Sequence, residues 1–169
     1  MTRRFLTPLL AALALAVAAP AMAQTAPAAP GLAIADVSAW IASKGGEVLP
    51  VQRREGETWL TVKDGNLTWL IFFYGCTNDV CGDIQFAASF SNPSVTMAMV
   101  NDWNRDHRFL KGTFFPGVAG QDPTALVQYD LLLTPGGVDQ LNDPAAIWVD
   151  MVEAFAQTTG YFAAPPAAQ

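Results

Sequence analysis

The chain has 169 residues, nine of them basic and fifteen acidic, and its formal net charge is −6. So few Lys and Arg side chains make nucleic-acid backbones and anionic lipid surfaces poor partners, and we expect neither. The sequence contains one His and two Cys and matches no P-loop, dinucleotide fingerprint, H-E-x-x-H motif or EF-hand loop, so we predict no cofactor and no metal site.

The N-terminal segment, residues 1–23, has the pattern of a cleaved secretion signal. Arg3 and Arg4 precede an apolar run from Leu9 to Ala19, and Ala21-Met22-Ala23 is an A-x-A cleavage site. The apolar run is too short for a membrane span, and no later segment approaches about 20 uninterrupted apolar residues. Cleavage would leave seven basic and fifteen acidic residues, a charge of −8. We therefore expect a periplasmic protein without stable membrane insertion.

Two Pro/Ala-rich segments enclose the part of the chain that is expected to fold. Residues 24–33 are predicted to form a linker, and residues 163–169 are predicted to form a disordered tail. Residues 34–162 remain, which is enough for one domain with one hydrophobic core.

The first half of this domain predicts one helix followed by a series of strands. Ile34 to Lys44 carries apolar residues at helical spacing and is followed by two glycines, which end the helix. Glu47 to Arg53 is predicted to be a short or edge strand, because Pro50 cannot donate a hydrogen bond to a sheet. Further strands are predicted over residues 58–62, 67–74 and 84–90. Both faces of the 67–74 strand are apolar, so we expect it to be central and covered on both sides.

The second half predicts two helices around a pair of strands. Asn92 is a suitable N-cap and Pro93 fits the first helical position, so a helix is predicted to begin there and to continue towards His107. Strands over 110–115 and 125–133 and a helix over 139–159 complete the domain. This order indicates an α+β fold in which an antiparallel sheet is flanked by helices.

The only cysteines, Cys76 and Cys81, stand at the two ends of the turn between the 67–74 and 84–90 strands. An even cysteine count in a secreted chain favours a disulfide, and facing strands approach closely enough to form one. A redox pair or a metal site is the alternative. The spacing is not C-x-x-C, no helix begins after the pair, and only one His exists as a further ligand. We predict a disulfide.

A second group of candidate residues lies around the end of the middle helix. His107 stands where the helix dipole favours a cation, and no nucleophile motif accompanies it. Asp130 lies within an apolar strand, so its carboxylate should either face water or pair with Arg105 or Arg108. No catalytic residue is predicted. The predicted binding surface consists of Trp103, Asn104, Arg105, His107, Arg108 and Asp130.

Five segments of the chain form a combination known from one protein family. They are Trp69–Tyr74 with Gly75-Cys76, Asp83–Phe86 with its continuation to Phe90, Val100–Asn104, Arg108-Phe109, and Tyr129–Leu131 ahead of Gly136-Gly137. Together these segments resemble the YbjN family of bacterial sensory transduction regulators. The resemblance spans residues 36–162 and is most specific in the W-N…R-F segment. It implies the element order α-β-β-β-α-β-β-α of the type III secretion chaperone fold. It transfers no catalytic residues.

We therefore predict a non-enzymatic periplasmic protein that binds a protein or peptide partner in an accessory or regulatory role. The secretion signal argues against a direct role in transcription. The resemblance also implies a homodimer, because proteins of that fold often pair. An enzyme or small-molecule binder with a pocket near Asn101–Arg108 is the alternative, and convergence of Arg105, His107 and Asp130 in a closed apolar pocket would favour it. A purely structural accessory module is a third hypothesis.

Overall fold

The structure, a computed structural model, describes residues 31–162. The predicted secretion signal, most of the predicted linker and the predicted tail lie outside these residues. The helices are α1 (Ile34–Ser43), α2 (Met97–Asp106) and α3 (Asn142–Thr158), and a 3-10 turn over Val138–Leu141 precedes α3. The strands are β1 (Leu32–Ala33), β2 (Glu47–Val48), β3 (Gln52–Arg54), β4 (Glu57–Asp64), β5 (Leu67–Thr77), β6 (Val80–Ser91), β7 (Lys111–Phe115) and β8 (Thr124–Leu132).

All eight strands form one antiparallel sheet in the order β2-β4-β5-β6-β8-β7, with β3 also paired to β4 and β1 to β6. The register places Ile71 opposite Phe86, and Phe86 opposite Tyr129. This architecture confirms the predicted α+β single domain with an antiparallel sheet. The predicted succession of a helix, strands, a helix, two strands and a helix is also confirmed. A lipid bilayer requires a longer apolar helix than any found between residues 31 and 162.

The hydrophobic core lies between one face of the sheet and the three helices. Alternate residues of β5 and β6 point towards the helices, because side chains alternate between the two faces of a strand. Trp148 of α3 packs on Trp69 of β5 and on Phe86 of β6, with ring centroids 5.6 Å apart in each pair. Phe155, about two turns further along the same stripe of α3, contacts Phe90. Complete burial of a side chain such as Phe86 contributes about 1.5–3 kcal/mol to folding.

The prediction that β5 is covered on both sides is wrong. The strand is central, and Trp69, Ile71 and Phe73 are buried on the helix side. On the opposite face, Leu70 and Phe72 are only half-buried, and no helix within residues 31–162 covers them. The helices therefore pack on one face of the sheet instead of flanking both, because the stripes of all three helices are used on the Trp69 side.

The predicted start of the middle helix at Asn92 and Pro93 is also wrong. The helix begins at Met97, and Thr96 is its N-cap, whose Oγ1 accepts a hydrogen bond from the Met99 N–H at 3.2 Å. The Asn92 side chain accepts from the Ser94 N–H at 2.8 Å and donates to the Thr159 carbonyl at 2.9 Å. These hydrogen bonds form a local turn and fasten it to the end of α3, so they compete with helix formation.

The end of the predicted linker requires a correction at its last two residues. Leu32 and Ala33 form β1 and pair with Cys81 and Val80. Leu32 is only 5% exposed. The Pro/Ala-rich composition of this segment predicts a linker, but burial of the Leu32 side chain and pairing with the β5–β6 hairpin place these two residues on the sheet.

Candidate functional site

The hairpin between β5 and β6 contains the disulfide Cys76–Cys81, which confirms the prediction. Asn78 and Asp79 form the two-residue turn, and both have positive φ angles, of 50° and 62°. That combination is typical of the type I′ turn, whose twist matches that of the flanking strands. Nowhere in residues 31–162 do three or more His, Cys, Asp or Glu side chains gather closely enough to ligate a metal ion. In this structure the two sulfurs hold the hairpin together.

Trp103 and His107 are fixed at the junction between α2 and β7. Trp103 is 3% exposed, and its indole Nε1 donates to the carbonyl of Leu110 at 3.1 Å. The imidazole of His107 stacks on the indole of Trp103 with ring centroids 3.6 Å apart. The backbone N–H of His107 donates to the Trp103 carbonyl and ends the helix. Both side chains therefore have structural contacts that account for their positions.

Asn104 occupies the outer edge of the sheet at one residue of β7, Gly112. Its Nδ2 donates to the carbonyl of Gly112 at 2.9 Å, and its Oδ1 accepts from the Gly112 N–H at 2.7 Å. These are the hydrogen bonds that a neighbouring strand would make with the edge strand β7. A side chain at position 112 would place its Cβ 2.9 Å from Cγ1 of Val100, so only Gly allows α2 to lie this close to β7.

The remaining predicted surface residues each have a different partner. Arg105 is exposed and forms ion pairs with Asp106 at 2.9 Å and Asp102 at 2.6 Å. Hydrogen bonding to Asp106, ahead of that to Asp102, raises the pKa of Arg105, and the same contact lowers the pKa of Asp106. The Arg108 guanidinium lies over the Phe109 ring at 5.5 Å. Asp130 is exposed, so its carboxylate faces water, which is one of the two environments predicted for it.

The convergence of Arg105, His107 and Asp130 that would favour an enzyme or small-molecule binder is not found in the described part of the chain. Asp130 accepts a hydrogen bond from Nε2 of Gln85 at 2.6 Å instead of pairing with Arg105 or Arg108. No hydrogen bond or ion pair within residues 31–162 joins Arg105, His107 and Asp130. Whether the six predicted residues form a binding surface stays a prediction.

The sheet face opposite the helices, here called the open face, contains a groove of about 500 Å³. It follows Thr68–Tyr74 of β5, Gln85–Ser89 of β6 and Leu126–Gln128 of β8. Glu57 and Tyr161 also contribute to its walls. The groove combines half-buried apolar side chains with a few polar groups, as small-molecule and peptide sites commonly do.

A hydrogen-bonded polar cluster occupies one part of this open-face groove. Oε1 of Gln85 accepts a hydrogen bond from Nε2 of Gln128 at 2.8 Å, and the Tyr74 hydroxyl lies 3.5 Å from the same oxygen. Nε2 of Gln85 donates to Asp130. Burial and, to a smaller extent, the carboxylates of Glu57 and Asp130 raise the pKa of Tyr74. The raised pKa therefore reflects a partly desolvated phenol beside two carboxylates.

The sequence-based site does not include Tyr74, Gln85 or Gln128. One signal was present, because the alternation of Gln85, Ala87 and Ser89 with buried residues already indicates a more open face on β6. The sequence pattern alone does not give the register. The structure places Gln85 opposite Asp130, and Ala87 opposite Gln128, and this register brings the polar groups together.

One protein-family model matches most of this chain. Residues 33–159 match the YbjN family, described as "Putative bacterial sensory transduction regulator". The crystal structure of YbjN from E. coli, described there as a putative transcription regulator, is similar at 14% identity with a TM-score of 0.47. The match covers 70% of this chain and 87% of that one. No curated protein sequence matches this chain at a significant level. Because the family match spans well over half of its residues, the chain belongs to the YbjN family.

Proposed function

We propose that this protein is a periplasmic, non-enzymatic member of the YbjN family that binds a peptide or protein through the open face of its sheet. Its role would be accessory or regulatory. The observation that carries the proposal is the open-face groove, in which Leu70 and Phe72 remain half-buried beside polar side chains. An apolar groove of this kind on a sheet is a common site of recognition.

Both edges of the sheet are unfavourable binding sites, which supports the open face as the binding surface. At one edge, β2 and β3 have two and three residues and are interrupted around Pro50. At the other edge, Asn104 occupies the N–H and carbonyl of Gly112. Short and occupied edges are poor templates for an added strand. The apolar groove of the open face is therefore a better site for a partner than either edge of the sheet.

Periplasmic location is supported by two independent features of the sequence and structure. Residues 1–23 have the pattern of a secretion signal, and the Cys76–Cys81 disulfide suits an oxidising compartment. Fractionation of the native host followed by intact-mass measurement tests this part. We expect a periplasmic chain that begins at Gln24 and lacks two hydrogens relative to its dithiol form. A cytoplasmic chain that retains residues 1–23 would contradict it.

The separate environments of Arg105, His107 and Asp130 weigh against the alternative of an enzyme with a pocket near Asn101–Arg108. His107 is stacked on Trp103, and Arg105 is engaged by two neighbouring carboxylates. General acid–base catalysis needs groups within hydrogen-bonding reach of one reacting centre. The geometry of these three residues favours the binding role.

Site-specific photocross-linking in cells tests the binding surface. A photoreactive amino acid replaces Thr68, which is exposed on the open face, or Asp150, which is exposed on α3. We expect a discrete cross-linked product from position 68 and none from position 150. A product of twice the chain mass would identify the partner as a second copy of the protein. Equal labelling at both positions, or none at position 68, would exclude the open face.

A further inference from the structure

We propose that the open-face groove selects a peptide segment in which a Lys or Arg side chain stands beside several apolar residues. This inference rests on the proposed function and adds the chemistry of the partner. It depends on three features of the groove: its negative end, its aromatic wall and its apolar floor.

The negative end of the groove lies around Tyr74 and Gln85. The strand register places Asp83 opposite Tyr74, and Asp130 opposite Gln85. Glu57, on β4, lines the groove itself. In the described part of the chain, neither oxygen of Glu57 has a hydrogen-bond partner, and Asp130 uses only Oδ1. These carboxylate oxygens are free to accept hydrogen bonds from a cationic side chain.

The basic residues on the same face are engaged elsewhere. Arg54 lies opposite Glu57, but its guanidinium is paired with Glu55 at 3.2 Å. Lys63 is paired with Glu47 at 2.9 Å. The Lys111 ammonium donates to two carbonyls at the end of α2. Within residues 31–162, Glu57 is the only charged residue that lines the groove, so the charge there favours a cationic occupant.

Aromatic side chains flank the negative end. Trp59 and Phe72 are cross-strand neighbours with ring centroids 6.2 Å apart, and Tyr74 follows Phe72 on the same face of β5. A cation between aromatic faces and carboxylates is stabilised by both, because the ring faces carry partial negative charge. An Arg side chain suits this environment better than an acidic or neutral one.

The rest of the groove is apolar and elongated. Leu70, Ala87 and Leu126 lie away from the carboxylates, and Ala87 is almost completely buried. From Thr68 to Tyr74 the groove follows β5 for about 20 Å, at about 3.3 Å per residue. This length accommodates about six residues of an extended peptide. A segment with one basic and several apolar side chains matches both the shape and the charge.

Selection from a random heptapeptide library against the full chain with its disulfide intact tests the inference. We expect the enriched peptides to carry a Lys or Arg next to apolar residues. Replacement of that residue by citrulline, which keeps the shape and removes the charge, should weaken binding about tenfold. The variant Glu57→Gln/Asp130→Asn should weaken binding of the charged peptide by a similar factor and should leave the citrulline peptide unaffected.

The matched control is Asp150→Asn/Glu153→Gln, which removes the same charges from the exposed side of α3. It should leave both affinities unchanged. Leu126→Arg, which puts a cation into the groove, should abolish binding of every selected peptide. If the selected peptides carry no basic residue but no longer bind the Leu126→Arg variant, the inference fails and the proposed function stands. If no peptide is enriched, or Leu126→Arg has no effect, both fail.

Discussion

The two faces of the sheet are made of the same strands and yet differ in what they do. On β5, Phe73 is 4% exposed and packs under the helices, whereas its neighbour Phe72 faces a groove and is half-buried. On β6, Phe86 is completely buried and its neighbour Gln85 belongs to a polar cluster. The apolar character of a strand face therefore does not determine whether helices cover that face, since Leu70 and Phe72 are as apolar as the residues that the helices cover.

The largest expected difference between the faces is in stability. Phe86→Ala should lower the free energy of unfolding by about 3–5 kcal/mol, because it removes a fully buried ring and leaves a cavity. Phe72→Ala is the matched substitution on the open face and should cost clearly less, since the ring is already partly in contact with water. Denaturant unfolding of both variants measures this. Equal losses would mean that the open face is covered in solution.

The disulfide joins the two central strands at one end of both faces. Cys76→Ser/Cys81→Ser should lower the free energy of unfolding by an amount near the lower end of about 2–4 kcal/mol, because the closed loop is short. In chemical unfolding, reductant should lower the free energy of unfolding of the native chain by the same amount. Reductant should not change the free energy of unfolding of the double variant. A native chain that is indifferent to reductant would show that the bond does not contribute to stability.

The occupied edge of the sheet can be opened by a single substitution. Asn104→Ala leaves the Gly112 N–H and carbonyl without their partners and should cost about 1–3 kcal/mol. It should also increase self-association, since β7 becomes available to another strand. Thermal unfolding and light scattering measure the two effects. Asn101→Ala, at an exposed position on the same helix, is the control and should change neither.

The smallest expected effect is electrostatic and concerns Tyr74. Its pKa is raised above 10.0 by burial first and then by Glu57 and Asp130, so Glu57→Gln should lower it. Because the folded-state pKa is the higher one, the contribution of Tyr74 to stability is complete below pH 10 and is lost as the pH rises through the folded-state value. Ultraviolet titration of the native chain, the Tyr74→Phe variant and the Glu57→Gln variant measures the shift. Asp150→Asn should leave it unchanged.

The fold class, the order of the main elements, the disulfide and the family can be predicted from the sequence. These follow from local signals. Hydrophobic periodicity predicts the helix over residues 34–44, which is Ile34–Ser43 in the structure, and alternation predicts the strand over 84–90, which lies within Val80–Ser91. The position of the two cysteines at the ends of one turn predicts the disulfide between them. The main error in a boundary is the start of α2. Asn92 can form either a helix N-cap or a turn, and its hydrogen bonds to Ser94 and Thr159 favour the turn.

Which face of the sheet stays open, and which polar groups meet there, depends on tertiary contacts. Asp130 could be recognised as unusual from the sequence, but its partner could not, because Gln85 is 45 positions away and is brought to it by strand register. Likewise, the sequence predicts Asn104 as a residue of the binding surface, whereas in the structure its side-chain amide is hydrogen-bonded to the backbone of Gly112. Contacts between distant parts of a chain depend on how strands align and where helices pack, and local patterns do not encode either.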